Sequence, residues 1–238
     1  MWRARGFYGG ICNMWTEPIF KDRRDAGRKL ARWLTEFAGR DDVVVLALPR
    51  GGVPVGYEAA KALEAPLDIF IVRKLGVPGQ EELAFGAIAS GGTVVYNESI
   101  LRLTGMPEAV IDKVIEEEQK ELMRRENLYR EGYPALEIDE KTAIVIDDGL
   151  ATGASMAAAV TALQKMKTNK IVVAVPVSSV EALQELSDQT GVRCIAAYTP
   201  EPFYGVGMWY RDFSQTSDEE VQELLAASRQ TFAHAHSA

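Results

Sequence analysis

The apolar positions along the chain follow two alternating patterns. Short runs rich in valine and isoleucine are typical of strands that are buried on both faces of a sheet. Between them, apolar residues recur every three or four positions, which is the spacing of one helix face. The predicted strands cover 42–49, 67–74, 142–147, 170–177 and 192–199, and the predicted helices cover 22–40, 52–65, 106–132, 154–167, 179–190 and 218–230.

This alternation predicts the fold class. Strands that alternate with helices imply right-handed crossovers and a doubly wound, mostly parallel α/β sheet. No linker-like segment divides the chain, so we expect a single domain over 14–230, with a small cap, or hood, contributed partly by 198–230. Residues 1–13 are predicted to be a disordered extension, and 231–238 a disordered tail. The glycine-rich stretch 76–92 fits neither pattern as a whole. Its second half, with 93–97, is expected to form short strands around a turn at Gly91-Gly92, and the stretch 74–86 is expected to be mobile.

Composition and charge exclude several classes of protein. The chain has 238 residues, 47% of them hydrophobic, and a net charge of −8. An acidic balance argues against non-specific nucleic-acid binding, which depends on a basic field. No apolar stretch approaches the ~20 residues that cross a bilayer, and the N-terminus lacks a secretory signal pattern. We therefore expect no nucleic-acid or membrane partner and a cytoplasmic location.

Histidine usage narrows the possible chemistry further. The two histidines, His234 and His236, both lie in the predicted tail. Histidine-based triads, His-ligated zinc sites and Cys-His nucleophile pairs therefore lack material. If the chain is an enzyme, carboxylates, basic side chains, backbone amides or a metal must perform its chemistry.

The most informative segment is AIVIDDGLATGAS at 143–155. An apolar run ends in Asp147 and Asp148, and a small-residue loop then leads into a helix. The N–H groups of such a loop and of the helix N-terminus can bind an anion. Carboxylates accept strongly from the hydroxyls of a sugar. The segment therefore suits a ribose 5-phosphate, with its hydroxyls on the acids and its phosphate in the loop.

Two other interpretations apply to the same residues. An ATPase strand of the Walker B kind also ends in acids, but it requires an upstream G-x-x-x-x-G-K-[ST] loop that is absent here. An acidic turn that only caps a helix is the other. Two further strand ends favour ligand binding, because they carry basic residues, LPRGG at 48–52 and VRK at 72–74. Ligands of open α/β sheets lie beyond the carboxyl ends of the strands, where these segments would meet.

Taken together, these segments resemble those of type I phosphoribosyltransferases. The superfamily's signature for 5-phosphoribosyl 1-pyrophosphate (PRPP) is similar to AIVIDDGLATGAS, its pyrophosphate loop to LPRGG, and its basic, flexible catalytic loop to RKLGVPGQEELAFGAI at 73–88. The resemblance covers about 42–199, and the whole chain is similar to a bacterial group of predicted phosphoribosyltransferases. It implies Mg²⁺-dependent transfer of the 5-phosphoribosyl group from PRPP to an unidentified nitrogenous acceptor, a nucleobase or similar, with release of pyrophosphate.

The resemblance also assigns roles to residues. Asp147 and Asp148 would bind the ribose hydroxyls, and the loop that follows would hold the 5′-phosphate. Arg73 and Lys74 would act in catalysis by neutralising the departing pyrophosphate. Pyrophosphate would be held by Arg50, Gly51 and Gly52, after a Pro49–Arg50 peptide that is often cis in the superfamily. The complete PRPP-binding set is Asp147, Asp148, Gly149, Leu150, Ala151, Thr152, Gly153, Ala154 and Ser155.

The acceptor side is less well specified. In the superfamily it is formed by the segment after the last core strand, here 198–215. Ala151 replaces an aspartate of the 6-oxopurine members, which argues against a hypoxanthine-guanine enzyme of that type. The turn WYRDF is similar to one that places an acid near the metal, so Asp212 is a candidate ligand of a Mg²⁺ ion otherwise carried by PRPP. Four aromatic residues either stack on the acceptor or pack the cap onto the sheet: Phe203, Tyr204, Trp209 and Tyr210.

The resemblance leaves two functions open. One is the enzyme, with closure of 74–86 excluding water from the site. The other is a PRPP- or nucleotide-sensing regulator that retains the site and has lost transfer. Regulators of this superfamily typically add a nucleic-acid-binding element, and this acidic chain shows neither a winged helix nor a basic face, which favours the enzyme. A homodimer is expected.

Overall fold

The computed structural model describes the backbone of residues 17–235 and the side chains of residues 17–232. Within this part, strands and α-helices alternate as the apolar pattern predicts. The strands are β1 (Val43–Ala47), β2 (Leu67–Ile69), β3 (Val72–Val77), β4 (Gln80–Ala89), β5 (Thr93–Tyr96), β6 (Thr142–Ile146), β7 (Lys170–Val177) and β8 (Arg193–Tyr198). The helices are α1 (Arg23–Ala31), α2 (Gly52–Leu63), α3 (Glu98–Thr104), α4 (Glu108–Arg130), α5 (Ala154–Lys165), α6 (Val180–Thr190) and α7 (Asp218–Ala235).

The central sheet has five parallel strands in the order β2-β1-β6-β7-β8. Every residue of β1 and β6 is buried, because helices cover both faces. Successive side chains of a strand point to opposite faces. Val43 and Val45 accordingly join the core cluster of α1, α2 and α7, whereas Val44 joins that of α5 and α6. The predicted mostly parallel α/β fold is confirmed.

A second, antiparallel sheet has three strands in the order β3-β4-β5. It confirms the strands predicted around the turn at Gly91-Gly92 and corrects the loop expected at 74–86. The predicted strand 67–74 is two strands, because β2 ends at Ile69 and β3 begins at Val72. Most of the stretch expected to be mobile forms a β-hairpin, whose apolar face buries Leu75 and Phe85 completely. A register shift around Gly76 breaks the alternation of the two strands. The apolar pattern of this segment is therefore irregular, although the segment forms a hairpin.

The helices differ from their predicted bounds mainly at their ends. Helix α1 stops at Ala31, well before residue 40, and α3 was not predicted. Helix α7 continues to Ala235, so the predicted tail begins inside a helix. Residues 1–16 and 236–238 lie outside the described part, and so does the prediction of disorder there. No helix within residues 17–235 is both long enough and apolar enough to cross a bilayer.

Candidate active site

Four loops meet at the carboxyl edge of the central sheet. They follow β1, β6, β7 and β8, whose parallel registers bring the strand ends side by side. Backbone hydrogen bonds continue beyond the strands, because Leu48 N donates to Ile146 O at 2.8 Å and Leu150 N donates to Val177 O at 2.9 Å. The first two predicted motifs, 48–52 and 147–155, are therefore neighbours.

The two glycines of the LPRGG loop allow it to pack directly against the acids. A Cβ atom on Gly51 would overlap Asp148 Oδ2, and one on Gly52 would lie 2.7 Å from Ile146 O. The preceding Pro49–Arg50 peptide is cis, as the resemblance implies. Since a side chain at either glycine would displace the acids, this backbone can approach them only as glycine.

The two acids have different surroundings. Asp148 Oδ2 accepts a hydrogen bond from Arg23 Nε at 2.8 Å, and these side chains are 17% and 11% exposed. Asp147 Oδ1 accepts from the Asp148 N–H, also at 2.8 Å, and pairs with no cation among residues 17–232. Burial raises the pKa of both carboxyls; the charge of Asp148 raises that of Asp147 further, whereas Arg23 opposes the rise at Asp148. Asp147 is therefore the acid without a counter-charge among residues 17–232.

Arg23 links this site to the segment after β8. Its Nη1 donates to Ser214 O at 2.6 Å, and its guanidinium lies 4.0 Å from the centre of the Phe213 ring. From the same segment, the Tyr210 hydroxyl donates to Asp148 O at 2.6 Å. Sequence analysis did not identify Arg23, because it lies 125 positions from its partner and no local motif marks it.

The small-residue loop ends in an exposed anion-binding geometry. Thr152, Ala154 and Ser155 are exposed, and Gly153, at the N-cap of α5, has a left-handed φ of 73°. Neither the Thr152 nor the Ser155 hydroxyl has a hydrogen bond to another described residue. Twelve residues of helix follow, so the N–H groups and the positive end of its dipole are directed at this loop.

Arg73 and Lys74 lie within β3. The sequence pattern had placed them at the end of a strand, and the resemblance had placed them in a flexible catalytic loop. Neighbouring strand residues face opposite sides. Arg73 pairs with Glu118 of α4, while Lys74 lines a cavity of about 690 Å³ together with Thr152 and Ser155. Of the two basic residues, only Lys74 therefore lies on the side of β3 that faces the loop 151–155.

Arg50 is held by the C-terminal helix. Its Nη1 lies 3.4 Å from Asp218 Oδ1, and the same oxygen accepts a hydrogen bond from the Tyr129 hydroxyl at 2.7 Å. The hydrogen bond from Tyr129 and the charge of Arg50 hold the pKa of Asp218 below its ordinary value. Arg50 thus joins the LPRGG loop to α7 and, through Asp218, to α4.

The candidate acceptor residues divide into two groups. Phe203 lines a cavity and Tyr204 is 75% exposed, whereas Trp209 and Tyr210 are buried against Phe20. The two buried rings pack the cap onto the sheet, which was the alternative role considered for them.

Asp212 occupies an exposed turn beyond the buried rings. Its Oδ1 accepts from Ser214 N at 2.9 Å, which lowers the pKa of its carboxyl. No group of three or more His, Cys, Asp or Glu side chains that could hold a metal ion occurs among the residues whose side chains are described. A metal at this site would therefore have to bring most of its ligands with it.

Comparisons with known proteins agree with this geometry. A family model described as "Phosphoribosyl transferase domain" matches residues 19–199. Two proteins of Mycobacterium tuberculosis, from strains CDC 1551 / Oshkosh and H37Rv, are each 44% identical over 218 residues and provisionally named phosphoribosyl transferases. The match covers 91% of this chain and 48% of theirs, so the chain spans about half the length of these relatives. The crystal structure of TT1426 from Thermus thermophilus matches 87% of this chain and 98% of its own, with 38% identity and a TM-score of 0.77.

Proposed function

The chain belongs to the phosphoribosyl transferase family, and on that premise we propose that it transfers the 5-phosphoribosyl group of PRPP to a nitrogenous acceptor. The observation that carries the proposal is that Asp147 lies between the loop 151–155 and the backbone of Gly51 and Gly52. The phosphate-type loop 151–155 follows the acids directly, and the Gly51–Gly52 backbone packs against their other side. These elements suit the hydroxyls, the 5′-phosphate and the pyrophosphate of one PRPP molecule.

Each part of the site would contribute a separate interaction. The hydroxyls of Thr152 and Ser155 and the N-terminus of α5 would hold the 5′-phosphate. Asp147 would accept hydrogen bonds from the ribose, and Asp148, fixed by Arg23, would support the same edge. Lys74 would face the phosphate from β3. These contacts position carbon C1 of the ribose between the pyrophosphate and the acceptor, and positioning of this kind contributes strongly to transfer reactions.

The reaction breaks the bond between C1 and the pyrophosphate oxygen and forms a bond from C1 to a nitrogen. Positive charge develops on the ribose in such displacements, as in glycoside transfer. The negative carboxylate of Asp147, beside the sugar, would stabilise that charge. Burial disfavours the ionised form of Asp147 in the free protein. A ligand that brings positive charge or hydroxyl donors to this carboxyl would favour the ionised form again.

Mg²⁺ fits this site as part of the substrate. The described side chains offer no cluster of ligands, but Asp147 is a hard oxygen donor without a cation partner. Phosphate-bound Mg²⁺ usually has one or two protein carboxylates as ligands. Its remaining oxygen ligands come from the substrate phosphates and from water. Asp147 would then be the protein ligand, with Asp212 as a second candidate. When bound, the ion would neutralise the leaving pyrophosphate.

The proposal is tested by measuring pyrophosphate release from PRPP with Mg²⁺ across a panel of nitrogenous bases. We expect release that depends on an acceptor. Calorimetry of the Asp147→Asn/Asp148→Asn variant should show PRPP affinity at least tenfold weaker, about 1.4 kcal/mol. Tight PRPP binding with no release under any acceptor would instead favour a PRPP sensor. Unchanged affinity in the double variant would reject the role of the acids.

A further inference from the structure

A second cavity opens beside the phosphate-type loop and has a distinct chemical lining. Its volume is about 680 Å³, within the range of small-molecule sites. Ala151 belongs to the loop after β6, Ser179 and Glu181 follow β7, and Glu201 and Phe203 follow β8. The cavity therefore lies at the same sheet edge as the acids and shares a wall with the phosphate-type loop.

The cavity carries negative charge without compensation. Glu181 lies in the first turn of α6 and Glu201 in the segment after β8, so two separate elements direct acids to it. Both side chains are exposed, and neither makes an ion pair or a hydrogen bond with another described residue. No lysine, arginine or histidine is among the described residues of its lining. The charged side chains of the lining are both carboxylates, which accept hydrogen bonds, and the Ser179 hydroxyl is its polar side chain that can also donate.

The position of Glu201 points to a ligand more directly than that of Glu181. An acid in the first turn of a helix is favourable in itself because of the helix dipole, which accounts for Glu181. Glu201 belongs to no helix and has Pro200 and Pro202 as neighbours. Phe203, which lines the same cavity, supplies an aromatic wall. An aromatic face beside unpaired carboxylates is a recognition surface for a flat ring that carries N–H groups.

We infer that the acceptor is a neutral or cationic nitrogen heterocycle that presents N–H donors to Glu181 and Glu201, and that acceptors bearing a carboxylate are excluded. This inference rests on the proposed function and specifies its acceptor class. The acids attract N–H donors through charge-assisted hydrogen bonds and repel a second carboxylate. Transfer forms the C1–N bond, breaks the bond from C1 to the pyrophosphate oxygen and releases the proton of the nitrogen, for which these carboxylates are acceptors.

Two matched pairs of probes test the charge preference. Uracil and orotate share a ring and differ by one carboxylate, and nicotinamide and nicotinate differ by an amide in place of a carboxylate. We expect equilibrium binding, with and without PRPP and Mg²⁺, to favour the neutral member of each pair at least tenfold. In the Glu181→Gln/Glu201→Gln variant the ratio should fall at least threefold. Glu185→Gln, on the same helix but outside the cavity, should leave it unchanged.

The outcomes separate this inference from the proposed function. Equal or tighter binding of either acid, an unchanged ratio in the double variant, or no binding by either neutral probe overturns the inference. PRPP binding to the same preparations is measured without any acceptor. If PRPP binds and the charge preference is absent, only the inference fails. If PRPP does not bind, the proposed function fails. The binding of the two probe pairs in the absence of PRPP then still decides the charge preference of the cavity.

Discussion

The carboxylate of Asp148 is held by a side chain from near the start of the described chain. Arg23 reaches it at 2.8 Å and also contacts Ser214 O and the ring of Phe213. Both charged groups are largely buried, and a buried charge that loses its partner is costly because it cannot regain its hydration. The pair therefore connects the stability of the chain to the geometry of the site.

Replacing Arg23 by alanine should lower the free energy of unfolding by about 2–3 kcal/mol, because Asp148 would remain buried without a counter-charge. Arg23→Lys should restore only part of this, since an ammonium cannot reproduce the contacts with Ser214 and Phe213. Urea denaturation measures both. Arg193→Ala is the control, because its ion pair with Glu36 has the same 2.8 Å distance but is about half exposed. This substitution should cost much less, because an exposed ion pair is screened by solvent; equal costs in the two variants would contradict the role of burial.

Asp147 should show opposite effects on stability and on binding. Its pKa in the folded chain is raised by burial and by the charge of Asp148, so stability is lost as the pH rises from 3.8 to that raised pKa, and the loss is complete above it. Asp147→Asn should therefore raise Tm at pH 7–8, by about 2–4 °C for each kcal/mol gained. The gain should disappear below the ordinary aspartate pKa of 3.8, where the carboxyl is neutral in both states.

The same substitution should weaken PRPP binding at neutral pH, because the ligand would lose a charged acceptor. Thermal denaturation across pH and calorimetry with PRPP measure the two effects. Asp139→Asn is the control, because Asp139 is exposed and has no partner among the described residues. A loss of stability in Asp147→Asn at pH 7 would show that the carboxylate is stabilised by groups other than those identified.

At the scale of elements, β3 assigns its two basic residues to different faces. Lys74 faces the cavity that it shares with Ser155, and Arg73 faces Glu118. Lys74→Ala should weaken PRPP affinity about tenfold without loss of stability, because its only ion pair within residues 17–232, with the fully exposed Glu82, is solvent-screened. Arg73→Ala should lower stability, because it removes the link from β3 to α4. Calorimetry measures the PRPP affinity of both variants, and urea denaturation measures their stability. A loss of affinity in Arg73→Ala together with a loss of stability in Lys74→Ala would contradict the orientation of β3.

Sequence patterns predicted the central elements well because each has a simple apolar signal. Strand β7 has its predicted bounds, and β1 and β6 are shorter only at their ends. The hairpin of β3 and β4 was not predicted, since a register shift at Gly76 breaks the period of two and glycines imitate a loop. The motif 147–155 could be read locally because its acids and loop are contiguous.

At the scale of the whole molecule, the site is completed by contacts that no local pattern contains. Arg23 lies 125 residues from Asp148, and Arg50 lies 168 residues from Asp218. Such pairs depend on the tertiary fold, because the sheet places α1 and α7 near its carboxyl edge. The lining of the cavity of about 680 Å³ likewise comes from segments that follow β6, β7 and β8. Sequence analysis could therefore single out the two acids, the loop after them and Phe203, but neither the counter-charge Arg23 nor the two glutamates of this cavity.

Because the site joins loops from distant parts of the chain, a ligand bound there should stabilise the whole fold. PRPP with Mg²⁺ at 100 times its Kd should add about 2.7 kcal/mol, or about 5–10 °C in Tm for a chain of this size. EDTA should reduce the shift, since pyrophosphate without the metal leaves its charge uncompensated. Ribose 5-phosphate is the matched control: it should give a smaller shift that EDTA does not change, because it lacks the pyrophosphate. An EDTA-sensitive shift with ribose 5-phosphate, or an equal PRPP shift in Asp147→Asn/Asp148→Asn, would place the metal and the sugar elsewhere.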